Sequence, residues 1–203
     1  MSVLSKLLVA TGNPGKLKEF AGMLEDVPFE LVSLEDLGIH EKVAETGSTF
    51  VENAALKATS YAEISGMLTL ADDSGLEVKA LGGEPGVQSA RYGGDGGSDA
   101  QRTALLLQNL ESVPEEKRQA RFRCVIALSR PTESPVFFQG ECRGRITVSP
   151  RGCRGFGYDP VFLLPELGRT MAELDAHEKA RVSHRGMAAK GVVEALRAMG
   201  TQN

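Results

Sequence analysis

Apolar residues recur along this chain at two different periods, and the switches between them mark out the elements. Residues 6–10, apolar from Leu7 onward, read as a short buried strand. Leu17, Phe20, Ala21 and Leu24 then recur at helical spacing, with Asn13 as N-cap and Pro14 at the first helical position. Residues 29–34 are a second strand candidate. Thr49 and Glu52 form a capping box that opens a helix ending near Gly66. Residues 67–71 read as a strand feeding Asp72-Asp73-Ser74-Gly75, and residues 82–97 as a glycine-rich loop. Ser98 and Gln101 open another helix. Phe122, Cys124, Ile126 and Leu128 alternate with Arg121, Arg123, Val125 and Ala127, as a strand requires. With residues 136–141 and 145–148 they predict an antiparallel meander. Thr170 and Glu173 open a further helix, and an amphipathic helix over residues 187–199 closes the chain. Strands and helices are mixed, which points to an α/β or α+β fold with a mixed sheet.

Composition narrows the function. The 203 residues suffice for one domain spanning 1–203, and 41% apolar with 25% charged residues is ordinary for a globular protein. A net charge of -4 argues against nucleic-acid binding through a basic surface, although local cations can still hold a free nucleotide. Cys124, Cys142 and Cys153 show no C-x-x-C spacing and read as free thiols in a reducing compartment. His40, His177 and His184 are dispersed, against a zinc site. The apolar start is too short for a signal peptide or membrane span, so the expected location is cytoplasmic.

Five segments carry candidate chemistry, each with a plain structural alternative. Thr11, Gly12, Asn13, Pro14, Gly15 and Lys16 turn from a strand into a helix, whose free N–H groups and dipole would attract an anion. It is not a Walker A loop, because Ala10 stands five before Gly15 and Leu17 follows Lys16. Alternatively it is a capped helix with a solvated lysine. Asn53 and Lys57 share the inward stripe of Phe50, Ala54 and Tyr61; an inward lysine either meets an anion or snorkels to water. Asp72 and Asp73 stand at the expected strand end, where one would face a site and the other orient it, suiting magnesium; the alternative is an Asp-Ser-Gly turn. Phe156 and Tyr158, flanked by Gly155 and Gly157, either stack on a base or pack on the core. His184 and Arg185 offer donors to a keto oxygen or phosphate, or form a surface turn before the last helix.

Together the segments are far more specific. Thr11-Gly12-Asn13-x-Gly15-Lys16, Glu45-Thr46-Gly47-x-Thr49-Phe50-x-Glu52-Asn53-Ala54, Asp72-Asp73-Ser74-Gly75-Leu76, Pro85-Gly86-x-x-Ser89-Ala90-Arg91-Tyr92, Phe156-Gly157-Tyr158-Asp159-Pro160 and Ser183-His184-Arg185-Gly186 follow one another. In this order they resemble the inosine/xanthosine triphosphate pyrophosphatase family, from about Leu8 to the last helix. The resemblance implies an elongated mixed-sheet α/β fold with two lobes and a central substrate cleft, and a homodimer. It implies hydrolysis of ITP, dITP and XTP to the monophosphate and pyrophosphate, with Mg2+. By motif match, Thr11 to Lys16 would hold the triphosphate with Lys57, Asp73 would be general base and metal ligand, and Ser74 would touch substrate. Phe156, Gly157, Tyr158, Asp159, Lys179, His184 and Arg185 would form the base pocket. Glu45 would be a second metal contact, with nearby Glu41 as the other candidate. Two readings compete: a non-enzymatic purine-nucleotide-binding module, which leaves Asp72 and Asp73 without a task, and a pyrophosphatase for modified pyrimidine nucleotides. A GTPase switch is weaker, since it lacks both the P-loop and a guanine-reading Asn-Lys-x-Asp.

Overall fold

The computed structural model describes residues 4–200. Strand β1 (Ser5–Val9) leads into helix α1 (Pro14–Met23), capped by Asn13, and β2 (Phe29–Ser33) follows. Helix α2 (Phe50–Ser65) begins with the Thr49–Glu52 capping box and ends at Gly66 in the left-handed region. After β3 (Leu68–Val78) come α3 (Asp99–Asn109), β4 (Gln119–Ser129) and β5 (Val136–Ile146). The short strands β6 (Phe162–Leu164) and β7 (Arg169–Thr170) precede α4 (Ala176–Val182) and α5 (His184–Gly200). The strands form one mixed sheet in the order β2-β1-β3-β4-β5-β6-β7. β1 is parallel to β2 and β3, whereas β6 is antiparallel to both β5 and β7. The α/β expectation holds.

The chain packs into two compact units, residues 4–73, 124–140 and 185–200 in the first and 74–123 with 141–184 in the second. The first has a core of Leu7, Phe20, Leu24, Leu70, Ile126, Val192 and Leu196, among others. Phe20 lies one turn before Leu24, the C-cap of α1, and Val192 and Leu196 lie one turn apart on α5, so each helix buries a single stripe. The second unit has its own core, with Leu76, Leu106, Leu110, Phe122, Ile146, Tyr158 and Phe162 at its centre.

Several boundaries differ from the sequence reading. β3 does not stop at Ala71: Asp72, Asp73, Ser74 and Gly75 lie inside an unbroken strand, so the aspartates are mid-strand residues. Poor strand propensity is overridden here because both carboxylates find partly buried cations. Residues 136–141 and 145–148 are not separate strands. β5 runs through Gly140 and Gly144 to Ile146. A Cβ on Gly144 would lie 2.4 Å from the Leu163 carbonyl oxygen, so glycine permits the close pairing of β6 instead of ending β5. The box of Thr170 and Glu173 forms but spans one 3-10 turn, and Asp175 with Glu178 opens α4 instead. The last helix starts at His184, which places His184 and Arg185 in its first turn. Within residues 82–97, Gly86–Arg91 is a 3-10 turn.

Arg118 pins the second unit. Its side chain is buried and donates to the Val113, Thr147 and Leu110 carbonyls at 2.8, 3.1 and 2.8 Å. Those oxygens belong to the end of α3, the turn after it and the end of β5. Arg118→Met keeps much of the volume and strands the carbonyls, so it should cost at least about 2 kcal/mol. The urea midpoint of the full chain measures this.

Candidate active site

At the end of β1 the Ala10 N–H donates to the Leu70 carbonyl at 2.7 Å, which carries the chain across to Thr11 and Gly12. Asn13 Oδ1 accepts from the Gly15 and Lys16 N–H groups at 2.8 and 3.1 Å, and Thr11 Oγ1 accepts from the Asn13 N–H. The expectation of free N–H groups at this helix start is therefore corrected, since the cap residue occupies them and Pro14 has none. What remains for an anion is the dipole, the Lys16 ammonium and the open side of Gly12, where a Cβ would meet nothing within 4 Å. Lys16 Nζ stands 2.8 Å from Asp72 Oδ2.

Adjacent strand residues face opposite ways, and Asp72 and Asp73 accordingly meet different helices. Asp72, with its side chain 1% exposed, engages Lys16 of α1 and Arg185 of α5, the latter at 3.5 Å. Arg185 is itself 2% exposed, also pairs with Glu19, and lies over the Phe20 ring. Burial would raise the Asp72 pKa, but Lys16, Arg185 and Lys57 hold it far below the usual carboxylate range. Cys124 lies beside the same oxygen at 3.9 Å, where burial and the Asp72 charge keep its thiol protonated.

Asp73 turns to α2. Its Oδ1 is 3.4 Å from Lys57 Nζ, and its Oδ2 accepts from Asn53 Nδ2 at 3.2 Å. Lys57 also donates to Glu45 at 2.5 Å. Burial raises the pKa of Asp73 and outweighs Lys57 and Lys16, while Glu45 and Asp72 push the same way as burial. Burial opposes the charge of Lys57, yet Asp73, Asp72 and Glu45 raise its pKa and keep it protonated. The inward lysine thus meets anions. Glu41 enters through its backbone instead, its carbonyl accepting from Tyr61 at 2.9 Å. Among the described residues no group of three or more His, Cys, Asp or Glu side chains is placed to hold a metal. Asp73 and Glu45 are hard oxygen donors, the kind magnesium shares with substrate phosphates, so they fit that ion.

The second unit holds the other candidates. Ser74 is half-buried on β3. In the loop before β6, Asp159 accepts from the Phe156 N–H at 2.9 Å and pairs with buried Lys179, whose ammonium lies 4.8 Å from the Phe156 ring centroid. Gly155 has φ +75 and would drive a Cβ into the Asp159 carboxylate, so glycine is required there. Gly157 N–H donates to Asp99 at 2.6 Å. Tyr158 is buried in the core and its hydroxyl donates to the Ser89 carbonyl at 3.0 Å. The Ser89 hydroxyl also accepts from the Leu76 N–H, so the glycine-rich segment braces both β3 and the Tyr158 loop. His184 is buried and stacked on Phe122, with ring centroids 4.6 Å apart.

Sequence reasoning passed over Glu19, Asp99, Phe122 and the task of Asn53. Asn53 had a visible signal in its inward position. The others act through contacts distant in sequence that no local motif announces.

Asp72 and Asp73 should behave oppositely on neutralisation. Asp72→Asn leaves buried Arg185 short of charge and should destabilise by about 3 kcal/mol. Because the Asp72 pKa falls on folding from an ordinary 3.8, the loss should be full above that pH and fade below it. Asp73→Asn removes a carboxylate that burial disfavours and should leave the melting temperature unchanged or higher. Thermal melts across pH test both.

The Ham1 family model matches residues 7–195. A Yersinia pseudotuberculosis protein named dITP/XTP pyrophosphatase is 50% identical over 196 residues, 96% of this chain and 99% of the relative. A Geobacter sulfurreducens protein of the same name is 54% identical over 185 residues, 91% of this chain and 93% of the relative. The solved structure of a HAM1 protein from Coxiella burnetii superposes with a TM-score of 0.86 at 41% identity, covering 96% of this chain and 99% of its own. Matches of this extent bear out the resemblance carried by the motifs: the chain belongs to the Ham1 family.

Proposed function

We propose that this protein hydrolyses deaminated purine nucleoside triphosphates, namely ITP, dITP and XTP, to the monophosphate and pyrophosphate, and so removes them from the nucleotide pool. The observation that carries the reading is Asp73, a buried carboxylate with raised pKa gripped by Lys57 and Asn53. Its near-full-length relatives named dITP/XTP pyrophosphatase support the substrate class.

Asp73 takes the proton of a water attacking the α-phosphorus, and pyrophosphate leaves. Burial makes this carboxylate a stronger base than an exposed one. Lys16 and Lys57 hold the triphosphate beside the segment Thr11, Gly12, Asn13, Pro14 and Gly15, and Ser74 adds a hydroxyl. Asp73 and Glu45 hold magnesium, which when bound neutralises phosphate charge and acidifies the water. Phe156 offers a ring face to the base, while Gly157, Tyr158, Asp159 and Lys179 fix that loop. His184 and Arg185 donate to the 6-keto oxygen of hypoxanthine or xanthine, where adenine carries an amino group. A site built to hydrogen-bond one group rejects an analogue lacking it by roughly 10⁴-fold. The working form is a homodimer of the single domain 1–203 in the cytoplasm.

Pyrophosphate release from ITP, XTP, GTP, ATP and dTTP with magnesium tests the reading. Release from ITP and XTP, abolished in a folded Asp73→Asn protein, is expected. Binding without turnover would favour a regulatory module, and release of single phosphates would move the attack to another phosphorus. Arg185→Ala should also narrow the preference for ITP over ATP. An unchanged preference with lowered stability would confine that guanidinium to Asp72 and Glu19.

A further inference from the structure

Asn53 lies outside the assigned machinery, yet it is 1% exposed and touches both the Asp73 carboxylate and the loop leading into α2. Its Oδ1 accepts from the Gly47 N–H at 2.8 Å, while its Nδ2 donates to Asp73 Oδ2 at 3.2 Å. The amide cannot be turned round without loss. Gly47 presents a backbone donor, so the oxygen must face it, and the nitrogen is left for the carboxylate. Gly47 is suited to this approach, because a Cβ there would lie 2.7 Å from Asn53 Oδ1 and 2.6 Å from Glu52 Cβ.

The same helix supplies the second hold on Asp73. Lys57, one turn further along α2, stands against Oδ1, so the two carboxylate oxygens are gripped by residues at i and i+4. Lys57 also binds Glu45, two residues before Gly47. The segment from Glu45 to Gly47 and the mid-strand Asp73 are therefore joined to α2 at two points. Tyr61 makes a third attachment through the Glu41 carbonyl.

We propose that Asn53 is a positioning residue: bridging the Gly47 N–H to Asp73 Oδ2, it fixes the rotation of the carboxylate that takes the water's proton and holds the Glu45 segment beside it. This deepens the pyrophosphatase reading and rests on it. The bridge leaves Asp73 Oδ1 as the oxygen that faces Lys57, so the carboxylate cannot rotate about its bond to Cβ without breaking a buried contact. Misplacing a reacting group by about 1 Å costs on the order of 10²-fold in rate.

The variant N53D separates this role from simple packing. It keeps the volume and the acceptor for the Gly47 N–H, but replaces the donor facing Asp73 with a second carboxylate. The kcat for ITP should fall about 10²-fold with KM nearly unchanged, since Lys16 and the Phe156 loop are untouched. The melting temperature should also drop, because two carboxylates then face each other. In N53D/D73N the donor and acceptor are exchanged, so the melting temperature should recover above that of N53D while the enzyme stays inactive. Wild-type kcat in N53D, or a double variant no more stable than N53D, would overturn the proposal. The melting comparison needs no turnover, so it tests the bridge even if the wild-type protein released no pyrophosphate from ITP, an outcome that would sink the pyrophosphatase reading instead.

Discussion

A carboxylate taken out of water loses several kcal/mol of hydration, which cations standing against it must offset. Asp72 is such a group, and the surrounding first unit is arranged around that requirement. Lys16 comes from the first turn of α1, Arg185 from the first turn of α5, and Asp72 from the middle of β3. One oxygen thus ties two helices to the sheet. Glu19 balances the second charge of the set through Arg185, so the four residues carry no net charge. Removing any one leaves an excess charge in a region that has little water to screen it.

The neighbouring position is governed by the opposite rule. Asp73 is disfavoured by burial and only partly compensated by Lys57, so it sits ready to accept a proton or a cation. Neighbouring positions on one strand thus hold a carboxylate whose charge is fully met by cations and one whose charge burial disfavours. The alternation of side chains makes this possible, because each acid meets a different helix: α1 and α5 for Asp72, α2 for Asp73. A pair in a turn, where both side chains face the same water, would not divide the tasks in this way.

This division was partly legible in the sequence. The capping boxes at Thr49 and Ser98, the Asn13 cap and the inward stripe of α2 are local signals, and local physics formed them as expected. The alternation of Asp72 and Asp73 also followed from spacing. The length of β3 and β5 did not, because residues with poor strand propensity are held there by partners from remote segments. Gly144 fell in the gap between residues 141 and 145, but its role is to let another strand approach. Likewise the cap on α1 was visible, while its consequence, that Asn13 already satisfies the N–H groups an anion would seek, appeared only with the side-chain geometry. The contacts of Asp99 with Gly157 and of Phe122 with His184 gave no sign, since each joins segments remote in sequence.

The two buried arginines are anchored by different chemistry. Arg185 faces carboxylates, whereas every hydrogen bond given to Arg118 ends on a main-chain carbonyl. Main-chain carbonyls do not titrate. Acid strong enough to protonate Asp72 therefore acts on the Arg185 anchor and passes over the Arg118 one. A single chain carries one fastening that senses acid and one that ignores it, and the sensing one is joined through Asp72 to Lys16 at the start of α1.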